Sequence, residues 1–185
     1  DPAAGVARLR TGRLGRLAAG RRRPRQPLGG ARLSDRAAAA AGEAAFGRGE
    51  YAKAVELFTK AITEDDTNPS FYGNRGSANS YLGKLDEALK DYDTAIKMAV
   101  AHSANPKDKR LAYFLYNRGY AYEHAGRTKE ALAEYQKTIE LDPDYPDAHG
   151  NTAWILATNP DATIRNAPKA LEYALIEAKR TKTSS

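Results

Sequence analysis

The sequence predicts an all-α protein, built as a solenoid of about four helix-turn-helix hairpins, on three observations. Gly49 and Gly83 lie 34 residues apart, and apolar residues recur at matching places around them. Within residues 117–143, NRGYAYEHAGRTKEALAEYQKTIELDP, the residues Asn117, Gly119, Ala121 and Tyr122 mark one helix, and Gly126 stops it. Ala131, Tyr135 and Ile139 then form a second apolar stripe, which Pro143 ends. The Ala, Tyr and Lys/Glu content favours helices throughout. A hairpin of this size cannot bury its own apolar face, so at least three must stack to make a continuous core.

Taken in order, residues 1–35 mix Arg, Gly, Ala, Pro and Leu without a helical stripe and are expected to be a disordered leader. They lack the uninterrupted apolar core of a secretory signal, and a transit peptide would share the Arg bias but carry more Ser than the single Ser34. The first unit, about 36–68, places Gly42, Gly49, Tyr51, Ala54, Phe58 and Ala61 at repeated positions; the second, 69–102, does so with Tyr72, Gly76, Gly83, Ala88, Tyr92 and Ala95. Between Gly83 and Gly126 lie nine more residues than the 34-residue spacing allows. Asn105 before Pro106 reads as a helix start with Asp108 in its first turn, so the insertion is expected to lengthen the first helix of the third unit, 106–144, by about two turns. The fourth unit, 145–180, keeps its Asn but loses the turn glycine. A longer loop over 158–167 leads to an amphipathic helix with Ala170, Leu171, Ala174, Leu175 and Ala178. Leu171 and Leu175 are expected to face inward, making this helix its own cap ahead of a short tail, 181–185.

This pattern of Gly, Tyr, Ala, aromatic and Pro in a unit of about 34 residues resembles the tetratricopeptide repeat, over roughly residues 36–180. The run AWILATNPD resembles a segment of the last repeats of bacterial members, which points to bacterial origin. The resemblance implies a right-handed superhelix whose concave face is made by the first helix of each hairpin. Gly49, Gly83 and Gly126 are expected to adopt the left-handed conformation that ends a helix, so that a β-branched residue there costs about 1 kcal/mol or more.

Charge and composition narrow the function. Residues 1–40 carry ten Arg against Asp1 and Asp35, net +8, while the remainder holds 19 basic and 21 acidic side chains, net −2. Basic character therefore belongs to the leader, which has no aromatic residue to stack on bases, and nucleic acid is not the expected partner of the repeats. No stretch reaches the roughly 18 apolar residues of a membrane span. With no cysteine there are no disulfides or thiolate sites, and the expected setting is soluble, the cytoplasm before the periplasm. His102, His124 and His149 lack metal-ligand spacing, no Gly-rich phosphate loop or nucleophile elbow is present, and the acidic pairs Asp65/Asp66 and Asp142/Asp144 sit at hairpin ends. No enzyme, cofactor or metal is expected.

What remains is a concave face. Asn74, Asn117 and Asn151 occupy the same place in the first helices of units two to four, with Ala40 at the matching place in unit one. An amide side chain donates and accepts, so a row of them can bracket an extended peptide backbone; packing against a neighbouring helix is the competing role. The row resembles the asparagine ladder in the repeat domain of O-linked N-acetylglucosamine transferase. Tyr81, Tyr116, Tyr120 and Trp154 project toward the same groove by helical count, where rings offer large contact area at low entropic cost. Tetratricopeptide co-chaperones hold a terminal carboxylate with Lys, Arg and Asn; the matching positions here are Ala39, Glu43, Asn74, Tyr113 and Asn117, of which only Asn74 agrees. Carboxylate-clamp binding is therefore not expected. The function implied is a non-enzymatic scaffold that binds a peptide segment of a partner protein. The alternatives are an anionic-surface or nucleic-acid binder acting through the leader, and the targeting module of a larger enzyme. End-to-end stacking of repeats is a route to oligomers.

Overall fold

The computed structural model describes residues 31–102 and 108–183. They form eight helices, with no strand among the described residues: α1 (Ala31–Gly47), α2 (Tyr51–Glu64), α3 (Pro69–Tyr81), α4 (Leu85–His102), α5 (Lys109–His124), α6 (Thr128–Leu141), α7 (Ala148–Thr158) and α8 (Ala167–Thr183). Each odd helix packs against the even helix after it, and each even helix against the first helix of the next hairpin. The result is the stacked α-solenoid read from the spacing. Gly49, Gly83 and Gly126 take φ of +77°, +73° and +73°, the left-handed turn that a side chain would oppose.

Small residues let the helices approach, and aromatic rings fill the wedges beside them. Ala54, Ala88 and Ala131 are fully buried, and Phe58, Tyr92 and Tyr135 are nearly so. Tyr92 lies so close over Gly76 that a Cβ there would sit 3.1 Å from its ring and 3.3 Å from the Ala88 carbonyl. Two ion pairs span the hairpins at one common separation of 16 residues. The Arg75 guanidinium grips buried Asp91 at 2.6 Å, and that of Arg118 grips buried Glu134 at 2.9 Å while also reaching Asp93 at 2.6 Å. These paired, largely desolvated charges tie together the two helices of units two and three, and losing either partner would leave a buried charge uncompensated.

Three expectations are corrected. Helix α1 begins at Ala31, before the expected boundary at residue 36, because no Gly or Pro falls between Ala31 and Gly42; the leader over 1–30 lies outside the described residues. The nine-residue insertion does not go into one helix. Relative to the turn glycines, α4 gains four residues over α2, α5 gains three over α3, and the intervening connection gains two. Asp108 caps α5, accepting from Arg110 N–H at 2.9 Å, whereas Asn105 and Pro106 lie outside the described residues.

The third correction concerns α8. Leu171, Leu175 and Ile176 are 61%, 53% and 39% exposed, and the helix docks on α7 through Ala170, Tyr173 and Glu177 instead. The equivalent leucines explain the difference. Leu89 follows Ala88 and packs with Ala121 of the next hairpin; Leu132 follows Ala131 and packs with Ile155 of the next. Leu171 follows Ala170 in the same way, and among the described residues no further hairpin covers it.

Candidate functional site

The odd-numbered helices line a groove, in which a cavity of about 350 Å³ is bounded by Glu43 and Phe46 of α1, Phe58 of α2, Asn74 and Ser77 of α3 and Tyr113 of α5. Ser77 ties this wall together. Its Oγ donates to the Gly73 carbonyl at 3.2 Å, accepts from the Tyr92 hydroxyl at 3.1 Å, and lies 3.2 Å from the Tyr113 hydroxyl, joining units two and three.

All three predicted asparagines are half-buried, and each uses its amide N–H within the chain. Asn74 Nδ2 donates to Glu43 Oε1 at 3.3 Å, bridging units one and two. Asn117 Nδ2 donates to the Tyr113 carbonyl at 2.8 Å, one turn back in its own helix, and Asn151 Nδ2 donates to the Tyr116 hydroxyl at 3.1 Å, bridging units three and four. Asn74 and Asn117 face oxygens that can only accept, which settles the orientation of both amides. Their Oδ1 atoms meet no partner among the described residues.

The aromatic residues divide. Tyr81 is 58% exposed and stacks on Tyr51 at 4.7 Å, with Phe46 against its edge at 5.3 Å, so units one and two present an aromatic step that the sequence reading caught only through Tyr81. Tyr120 is half-exposed and lies against the His124 ring at 4.0 Å. Trp154 is 65% exposed on α7, one helical turn beyond Asn151. Tyr116 is different: it packs between Tyr135 and Tyr145, and burial, with Asp147 nearby, pushes its phenol up to about 12. It acts as a brace for Asn151 as well as a wall of the groove. Burial also raises Tyr113 and Tyr120; the ionisable neighbours adding to this are Tyr81 and Glu43 for Tyr113, and Tyr81 and Glu123 for Tyr120.

The histidines do not converge. His102 and His124 each contact the carbonyl four residues back in their own helices, and His149 is buried against Tyr173 with an Nδ1 that meets no partner. Among the described residues no group of three His, Cys, Asp or Glu gathers to hold a metal, and no helix is long and apolar enough to cross a membrane. Asp65 and Asp142 accept backbone N–H bonds from Thr67 and Asp144, as turn residues. A second cavity, on the other side of α3, surrounds the Arg75–Asp91 pair with Val55, Thr59, Lys84 and Lys90.

Comparison with known proteins agrees with this geometry. The tetratricopeptide repeat profile matches residues 74–146 and 116–178, together more than half of the chain. DnaJ homolog subfamily C member 7 from Homo sapiens is 44% identical over 61 residues, which are 31% of this chain but only 12% of that protein's length. Among solved structures, that of MamA superimposes with a TM-score of 0.66 at 19% identity, over 81% of this chain and 80% of that one. The first such domain of Spaghetti (RPAP3), bound to the HSP90 peptide SRMEEVD, gives 0.59 at 24% identity over 66% and 90%.

Proposed function

The chain belongs to the tetratricopeptide repeat family, and from that premise we propose that it is a non-enzymatic scaffold holding an extended peptide segment of a partner protein against the odd-numbered helices. The observation that carries this reading is the pair of oriented amides. With Nδ2 of Asn74 and Asn117 committed to Glu43 and to the Tyr113 carbonyl, each Oδ1 is left as an acceptor for a backbone N–H. Asn151, braced by Tyr116, extends the row to unit four. Tyr81, Tyr120 and Trp154, exposed beside these asparagines, supply contact area. Recognition of a backbone reads chain direction and extension more than side-chain identity, which suits a scaffold. The similarity to a co-chaperone and to a domain holding a chaperone peptide supports a protein partner.

The test is affinity capture from source lysate on the full chain, comparing wild type with the Asn74→Ala, Asn117→Ala, Asn151→Ala triple variant. Circular dichroism establishes that the variant is folded. A protein retained by wild type and lost from the folded variant bears the reading out. Equal retention by both makes the asparagines braces between hairpins and refutes their contact with a partner.

A further inference from the structure

Two carboxylates on the groove helices have no cationic partner among the described residues. Glu43 stands on the cavity wall, and Glu123 lies on the same helix as Tyr113, Tyr116 and Tyr120. Glu43 accepts only from the Asn74 amide and Glu123 only from the Tyr135 hydroxyl at 2.8 Å; neither is paired with a Lys or Arg among the described residues. Both carboxylates thus stand without a salt-bridge partner near phenol rings of the groove. The aromatic step of Phe46, Tyr51 and Tyr81 lies at the same end of the groove as Glu43. Tyr113 of α5 walls the same cavity as Glu43 and Phe46, which ties that step to the α5 row. His124 lies against the Tyr120 ring.

Ring faces attract cations through their quadrupole, and an uncompensated carboxylate at the rim of a partly desolvated groove repels acidic chains and draws basic ones. The places where a bound carboxylate would need cations hold Ala39, Tyr113 and Asn117. We propose that the groove selects an extended segment carrying a lysine or arginine, whose cationic head lies toward Glu43 and Glu123 with its flank on the Tyr81 and Tyr120 rings. This rests on the peptide-binding reading above and specifies its ligand: a basic segment rather than an acidic tail. Arginine fits best, since its planar guanidinium both stacks on a phenol and forks onto a carboxylate.

A phage-displayed random library of about nine residues, roughly 30 Å when extended, selected on the full chain, tests it. Three variants serve as parallel baits: Glu43→Gln/Glu123→Gln, Tyr81→Ala, and the triple asparagine variant. The glutamines still accept from Asn74 and Tyr135, so the double variant keeps its internal bonds, and its thermal midpoint checks that. The expected result is Arg and Lys enriched at least about threefold over Asp and Glu on wild type, with that bias gone on the double variant and binding of an enriched peptide weakened about fivefold by Tyr81→Ala. Enrichment of acidic or uncharged peptides that is lost on the asparagine variant overturns the inference and leaves the groove reading standing. A basic bias that persists on the double variant also overturns it. If no enriched peptide responds to any groove substitution, both readings fall. Acidic peptides held by the Arg-rich residues 1–40 are recognised by their indifference to all three variants.

Discussion

Replacing Gly73 by Ala tests the reasoning about how units two and three are set against each other. Gly73 is buried in α3, and a Cβ built there would lie 2.6 Å from Phe114 Cδ1 and closer still to Cε1. Phe114, on α5, is 1% exposed and packed by Ala95 and Ala99, with Tyr72, Ile96 and Tyr113 around it, so the ring has no free volume to retreat into. Overpacking costs about 1–3 kcal/mol, and an overlap this deep with a pinned ring falls at about 2–3 kcal/mol, of which the better helix propensity of Ala returns about 1 kcal/mol. A net loss of about 1–2 kcal/mol lowers the melting temperature by roughly 3–6 °C in a domain of this size. The assay is thermal and urea unfolding followed by far-UV circular dichroism. Gly47→Ala is the matched control, because nothing lies within 4 Å of its added Cβ and its φ is not positive; it should be neutral or gain about 0.5 kcal/mol. A Gly73→Ala protein as stable as wild type would refute the claim that the Phe114 ring is pinned.

Arg118→Met should cost about 3 kcal/mol in urea unfolding, since it strands the buried Glu134 carboxylate; a loss under about 1 kcal/mol would mean that Lys137, 3.5 Å from Glu134, takes over the pairing. Burial holds the His149 imidazole below its ordinary value, so the folded state binds fewer protons than the unfolded one. Stability is then complete above the ordinary imidazole pKa of about 6.5 and falls as pH drops through the folded value. His149→Phe should flatten that part of the melting-temperature profile, and an unchanged profile would show that another group is responsible. Leu171→Ser with Leu175→Ser should change stability by no more than about 1 kcal/mol, whereas Leu89→Ser should cost about 2 kcal/mol or more; equal losses would mean that α8 buries these leucines in solution.

Much of the solenoid was legible because its turns and close contacts need particular residues. A φ near +75° at Gly49, Gly83 and Gly126 and a fully buried Ala at 54, 88 and 131 leave marks that recur at fixed spacing. Unit four broke that register. With no turn glycine to align on, the apolar residues of α8 could be assigned to either face, and only the Ala88-Leu89 and Ala131-Leu132 pairs, read beside Ala170-Leu171, give the orientation found. The Arg75–Asp91 and Arg118–Glu134 pairs share a separation of 16 residues that the sequence displays, but two occurrences among many charges do not distinguish themselves from solvated faces. Gly73 escaped notice because it answers to one ring in the next hairpin, not to the repeat. For the asparagine row, spacing gave the place of each side chain in its helix. The atom an amide donates to depends on rotamers and, for Asn74 and Asn151, on neighbours 31 and 35 residues away, Glu43 and Tyr116.

The bare leucines of α8 also set how the chain comes apart. In a linear stack, a hairpin is held by its own folding energy plus one contribution from each neighbour, and among the described residues the α7–α8 hairpin has a neighbour on one side only. Within residues 31–183 it is, with the α1–α2 hairpin at the other end, a place from which the stack unzips, opening ahead of α3 to α6 on the timescale of amide hydrogen exchange. Each such opening bares Ile155 and Leu156 together with the outer side of α6. Trp154 and Asn151 move with it, independently of the three hairpins that frame the cavity beside Glu43.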